Sequence, residues 1–259
     1  MSPATSPWLL RRAPRDDARA RLFCLPFAGG SASAYRDWHE RLPTWLEVLP
    51  VELPGHGMRL GEPPIPQLLP LVEAMLLGLA PWMDRPFALF GHSMGALLAF
   101  EATRLLRSRR AQLPFLLAAS GYRAPHLPDP ETPIGQLAAD DMLARLARLG
   151  GMPPEVLRSQ ELLQLLVPVF RADFNVTDAW RSPAEPPLVV PMLILGGLHD
   201  PRAPRPALAA WAEHAAGPLA ITLFPGDHFY HRSTPAPVLQ RLREALTRHG
   251  PAPSTVGTP

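Results

Sequence analysis

Six short runs of apolar, β-branched and aromatic residues punctuate the chain, at 21–27, 46–52, 87–90, 115–120, 189–195 and 219–224, each bounded by Gly or Pro. Brief apolar runs between such breakers read as strands buried on both faces. Between several of them the apolar residues recur every three to four positions, over 34–41, 67–79, 94–107, 205–215 and 237–248. That is the period of a helix with one buried face. Strands alternating with helices predict an α/β protein, with a mostly parallel central sheet and helices on both faces. No internal repeat interrupts the pattern.

One connection is out of scale. Roughly sixty residues separate the run ending at Ser120 from the run starting at Val189, whereas compact domains usually connect elements with about two to six. The stretch 125–133 is irregular, but Leu137, Met142, Leu146 and Leu149, then Val156, Leu163, Leu166, Phe170 and Phe174, lie at helical spacing within 134–149 and 155–180. The expectation is a helical lid insertion at about 125–187 within a single domain spanning 1–249. A helical layer covering a sheet edge is the alternative that periodicity leaves open. The last residues, 250–259, are rich in Pro, Gly, Ser and Thr and are expected to be a disordered tail.

Composition narrows the class. Hydrophobic residues make up 47% and charged residues 19% of 259, the balance of a globular chain with a substantial interior. The 35 Pro and 18 Gly stay below the Pro plus Gly share of about 25–30% that marks low-complexity chains. All 25 basic residues are Arg, against 23 acidic ones, for a net charge of +2. Apart from the cluster at Arg107, Arg109 and Arg110 there is no basic run, so nucleic acid is not an expected partner. Cys24 is the single cysteine, which excludes an intrachain disulfide, and its apolar setting reads as core. Trp8-Leu9-Leu10 before Arg11-Arg12 is far shorter than the apolar stretch of about 7–15 residues in a signal peptide. The apolar segment 68–83 is broken by Pro70, Glu73 and Pro81 and cannot span a bilayer. A cytoplasmic, membrane-free monomer is expected.

The chemistry centres on Gly91-His92-Ser93-Met94-Gly95, which lies between the run at 87–90 and the helix starting at Met94. A G-x-S-x-G pentapeptide in that strand-turn-helix setting is a nucleophile elbow, its glycines needed because the tight turn leaves no room for Cβ atoms. A serine hydroxyl attacks only when a base takes its proton, and the base needs an acid to orient it. Asp200 follows one strand in Gly196-Gly197-Leu198-His199-Asp200, and His228 follows the next in Pro225-Gly226-Asp227-His228-Phe229. Ser93, then Asp200, then His228 is the order of the α/β-hydrolase fold, with each residue at the C-terminal end of a strand.

His92, His199 and His231 compete for the role of base, and Asp227 for that of the acid. Asp227, adjacent to His228 on one loop, is poorly placed to reach the Nδ1 edge of that ring. An oxyanion intermediate needs two backbone N–H donors. Met94 supplies the first. The second is expected from Pro26-Phe27-Ala28-Gly29-Gly30-Ser31, with Ala28 the first candidate and Phe27 the next. An ordinary glycine turn would read the same way. No His or Cys metal cluster, G-x-G-x-x-G or P-loop occurs, so no cofactor is expected.

Phe27-Ala28-Gly29-Gly30-Ser31-Ala32, Glu52-Leu53-Pro54-Gly55-His56-Gly57-Met58-Arg59, the elbow, Arg171-Ala172-Asp173-Phe174 and Gly226-Asp227-His228-Phe229 together resemble the type II thioesterases, the stand-alone thioesterases of polyketide synthases and non-ribosomal peptide synthetases. The resemblance spans about residues 21–248. One departure is His56, where the family more often carries an Arg-containing variant. The resemblance implies hydrolysis of acyl groups from the phosphopantetheine arm of an acyl or peptidyl carrier protein, to clear stalled or mis-primed chains. The arm belongs to the substrate, and the partner would be a carrier domain of a synthase. The same triad would also serve a small-molecule carboxylesterase or lipase, or a dedicated product-release thioesterase. A catalytically silent carrier-binding module would have no use for it.

Overall fold

A computed structural model of the chain describes residues 6–10, 15, 17–129, 133–150, 158–178 and 180–252. Its strands are β1 (Ala20–Leu25), β2 (Leu46–Pro50), β3 (Phe87–His92), β4 (Leu116–Ser120), β5 (Met192–Gly197) and β6 (Leu219–Phe224). They form one sheet in the order β2-β1-β3-β4-β5-β6, and every neighbouring pair is parallel. Among the described strands the sheet is therefore wholly parallel.

Side chains alternate across a strand, and the two faces of β1 show it. Phe23 and Leu25 join the core beneath α1 (Leu68–Leu79) and α2 (Met94–Ser108), while Leu22 and Cys24 join a second core on the opposite face. Burial on both sides explains why these strands read as unbroken apolar runs. The exception on β1 is Arg21, which is buried and paired with Glu47 of β2 at 2.9 Å.

The chain steps from β1 out to β2, returns to β3, and then proceeds one way to β6. The strand order thus reverses between β1 and β3, and such a switch point opens a crevice at the carboxyl ends of the strands. The turn after β1 carries Ala28 and the turn after β3 carries Ser93. The sheet topology alone places these two candidates side by side.

The remaining helices are α3 (Ala139–Arg148), α4 (Gln160–Asp178), α5 (Arg205–Ala209), α6 (Tyr230–Ser233) and α7 (Pro235–His249). Ile134, Met142, Leu146, Phe170 and Phe174 from α3, α4 and the turn before them make a third small core, with Ala28 packed against it. The insertion between β4 and β5 therefore lies over the switch point. Pro168 sits inside α4, where its missing N–H removes one rung of the helical ladder. Val156 and residues 253–259, parts of the expected second lid helix and tail, lie outside the described residues.

Two expected helices are different. The segment 34–41 forms single 3-10 turns, Ala32–Tyr35 and Trp38–Glu40, and 205–215 forms α5 followed by a 3-10 turn at Ala210–His214. The apolar residues in each come as an i, i+3 pair, Tyr35 with Trp38 and Leu208 with Trp211, all buried. Tyr35 closes the first turn and Trp38 opens the second, while Leu208 lies in α5 and Trp211 in the turn that follows it, so each pair spans a junction between short elements that leaves both side chains on the buried face. Strand limits moved for a simpler reason: β1 stops at Leu25 and β5 starts at Met192 because Pro26 and Pro191 have no N–H to donate to a neighbour.

Phe90 of β3 is fully buried and meets Tyr35 and Trp38 edge to face at 5.8 and 4.7 Å. Phe90→Ala is expected to destabilise the fold by about 3–5 kcal/mol. Urea denaturation of the purified variant followed by Trp fluorescence measures this.

Candidate active site

Between the last residue of β3 and the first of α2 stands one residue, Ser93, at φ 54°, ψ −119°. A non-glycine side chain in that region costs about 1–3 kcal/mol, so its surroundings must impose it. They do so by backbone contact. A Cβ on Gly91 would stand 1.9 Å from Gly95 O, and a Cβ on Gly95 would stand 2.2 Å from Leu25 O at the end of β1. Ser93 N–H donates to Ser120 O of β4 at 2.8 Å. The hydroxyl is left facing the crevice.

The loops after β5 and β6 bring the partners. His228 Nδ1 lies 2.8 Å from Asp200 Oδ2, and His228 Nε2 lies 3.0 Å from Ser93 Oγ. A ring nitrogen facing a carboxylate carries the proton, which leaves the Nε2 lone pair toward the serine. Both side chains are buried, and Asp200 Oδ1 accepts the Arg202 N–H at 2.9 Å. The competitors are occupied elsewhere. Asp227 accepts the Phe229 N–H on its own loop, His199 is exposed, and His92 Nδ1 pairs with Ser120 Oγ at 2.9 Å. Ser120 Oγ in turn meets Tyr230 Oη at 2.5 Å.

Two further imidazoles flank the triad. His92 lies 5.0 Å from the His228 ring and 4.1 Å from the His231 ring, centroid to centroid. Burial, with His231 adding to it, holds His92 well below the ordinary imidazole range. Burial, then Arg232 and His228, push His231 down to about 3. Both rings are neutral near pH 7, so neither adds a like charge when His228 takes a proton.

Phe27 O accepts the Gly30 N–H at 2.8 Å, with Gly29 third in the turn at φ +71°. That is a type II turn, and the third position favours glycine. Ala28, second in the turn, lines the cavity together with Ser93 and Met94. Met94 opens α2, so its N–H has no helical carbonyl to bond. On that side of the cavity Tyr122, Arg123 and Thr177 add polar groups, whereas on the His228 side Leu146 and Leu149, from α3 and its C-terminal end, and Phe170 and Phe174, from α4, make apolar walls. Arg202 lines its floor.

The thioesterase domain family matches residues 20–246. The chain belongs to this family. It is 37% identical over 244 residues to a Brevibacillus parabrevis protein named linear gramicidin dehydrogenase LgrE, with 93% of each chain aligned. RedJ, a thioesterase from the prodiginine biosynthetic pathway in Streptomyces coelicolor, superposes with a TM-score of 0.83 at 35% identity, over 92% of this chain and 91% of that one. The type II thioesterase BorB from the borrelidin biosynthetic cluster superposes with a TM-score of 0.84 at 32% identity, over 92% and 97%. The fold is the α/β-hydrolase fold of these thioesterases.

Sequence reasoning assigned no role to two residues of this thioesterase-family chain that meet beside the site. Asp173 of α4 and His56 of the loop after β2 are 117 positions apart, yet His56 Nε2 lies 2.8 Å from Asp173 Oδ2. The same oxygen accepts the Gly29 N–H at 2.7 Å. A charged residue on the apolar stripe of α4, between Phe170 and Phe174, was the available signal.

Because the contact at Gly91 is backbone on backbone, no side chain can yield to a new methyl group. Gly91→Ala is expected to displace the elbow and slow labelling of Ser93 by a fluorophosphonate probe at least about 100-fold, the scale of a misplaced reacting group. Time-resolved intact-mass spectrometry of the labelled protein checks this.

Proposed function

We propose that this chain is an editing, type II thioesterase, which hydrolyses acyl groups from the phosphopantetheine arm of acyl or peptidyl carrier proteins in polyketide or non-ribosomal peptide biosynthesis. The observation that carries the reading is the continuous Ser93, His228, Asp200 hydrogen-bond chain opening into a cavity roofed by apolar helices. Family membership and the likeness to RedJ and BorB support it.

In this mechanism His228 Nε2 takes the Ser93 proton as Oγ attacks the thioester carbonyl. Asp200 holds the ring and balances the imidazolium. The oxyanion is met by the N–H groups of Met94 and Ala28, each worth about 3 kcal/mol of barrier. Collapse expels the pantetheine thiol, which needs less acid assistance than an amine because its pKa is about 8.5. Water, activated by His228, then releases the acyl group as a free acid. No nucleotide enters these steps, and the chain has no G-x-G-x-x-G fingerprint. The word dehydrogenase in the name of the Brevibacillus protein therefore finds no counterpart in these residues. The apolar walls from α3 and α4 accommodate the acyl chain and its arm.

Ser93→Ala is expected to abolish hydrolysis of acyl-phosphopantetheine carrier proteins while leaving the far-ultraviolet circular dichroism spectrum unchanged. Intact-mass monitoring of the carrier reads the reaction, with p-nitrophenyl and CoA esters as comparison substrates. More than a trace of turnover by the variant overturns the assignment of Ser93. A wild-type preference for the simple esters over the carrier overturns the substrate assignment.

A further inference from the structure

Asp173 belongs to the lid, yet its contacts are with the floor. Its buried carboxylate accepts the Gly29 N–H, which lies in the turn that presents Ala28, and it is backed by His56, whose other nitrogen, Nδ1, faces Pro54 O at 3.0 Å. One imidazole nitrogen faces a carboxylate and the other a carbonyl, so both carry protons and His56 is an imidazolium. The charged groups acting on it are Asp173 from α4 and Glu52 from its own segment, both negative. Burial works against the charge, but the charge and hydrogen bond of Asp173, joined by the Pro54 carbonyl and Glu52, together outweigh it and raise the pKa above the ordinary value.

The turn is held at a second point by Glu52, whose Oε1 accepts the Ala32 N–H at 3.0 Å. Phe170 of α4 packs on the same turn so closely that a Cβ on Gly29 would stand 1.9 Å from its Cε1. The lid helix thus touches the oxyanion turn through one ring and one carboxylate. The bond from the Gly29 N–H to Asp173 therefore pins this turn at the peptide next to the one that carries the Ala28 N–H, and release of Asp173 would free the turn to shift.

We infer that Asp173 is a positioning residue: backed by protonated His56, it anchors the turn through the Gly29 N–H and so sets the place of Ala28, the oxyanion donor one peptide earlier, while α4 is seated. This inference deepens the reading of the site given above and rests on it. The oxyanion turn is then assembled from above, and the ion pair is pH-dependent. A pKa raised in the folded state means that the pair is fully formed below the ordinary imidazole value of 6.5 and is lost as pH rises through the raised one. An arginine at position 56 would hold its charge throughout.

The test compares wild type, Asp173→Asn, His56→Gln and His56→Arg by p-nitrophenyl butyrate hydrolysis across pH and by phenylboronic acid binding, which reads the tetrahedral adduct on Ser93 without turnover. Asp173→Asn and His56→Gln are expected to lower kcat about 10- to 100-fold, with KM changed less than about twofold, and to weaken boronate binding by a similar factor; outright loss of a donor costs about 100- to 1000-fold. His56→Arg is expected to keep kcat within about threefold of wild type at pH 7 and to lose the part of the alkaline decline that wild type shows. Should Asp173→Asn fail to fold, the two His56 variants decide alone. The inference is overturned if kcat and boronate affinity stay within about twofold of wild type in His56→Gln, if the loss lies in KM, or if His56→Arg keeps the wild-type alkaline decline. Because the ester and the boronate report on the oxyanion turn with any acyl group, a wild type that ignores carrier proteins would contradict the proposed substrate and leave this test intact.

Discussion

Ser93 keeps a backbone conformation that its side chain disfavours, φ 54°, ψ −119°, because Gly91, Gly95 and the carbonyl of Leu25 are packed backbone against backbone. Everything that the site can do depends on this contact. It sets the hydroxyl above the strand end instead of within the helix, and it makes Met94 the first helical residue, with a free N–H donor beside Ser93. It also ties the elbow to β1, from which the turn bearing Ala28 leaves. A strained residue persists only where its neighbours over-determine it, and here the neighbours are main-chain atoms that cannot rotate away.

Around that point the sheet order does the positioning. The reversal between β1 and β3 brings the turns bearing Ala28 and Ser93 together, while β5 and β6 end in the loops that carry Asp200 and His228. Beneath His228, neutral His92 and His231 fill space without adding charge, and the chain from His92 through Ser120 to Tyr230 occupies polar atoms that would otherwise be buried without partners. Above it, α3 and α4 contribute apolar walls. The one carboxylate that α4 turns toward the site, that of Asp173, is satisfied by a backbone N–H and an imidazolium, as a buried charge requires.

The elements that sequence exposed were those whose physics is local. The strand-turn-helix setting of the elbow could be read because its glycines answer a steric demand within five residues, and the nearness of Asp200 and His228 to Ser93 because parallel sheets present their loops at one edge. The sheet could be read because burial on both faces leaves unbroken apolar runs. The segments around Tyr35 and Trp211 read as single helices because an i, i+3 pair fits one continuous helix as well as two short elements joined between its members, and only packing on Phe90 or in the core decides. The bond from His56 to Asp173 could not be read at all. It joins residues far apart in the chain: both stand in motifs that carry the family resemblance, with His56 a departure from the usual pattern, but nothing local showed that they meet.

The central claim is that acyl transfer passes through Ser93. Rapid-quench mixing of the enzyme with a butyryl-loaded carrier protein, followed by proteolysis and peptide mass mapping, tests it most directly. The account predicts a transient butyryl adduct of the peptide containing Ser93, formed as the carrier loses its acyl group and gone when free acid has accumulated. Turnover with no adduct at Ser93 at any quench time, or with the butyryl group on another residue, would contradict it.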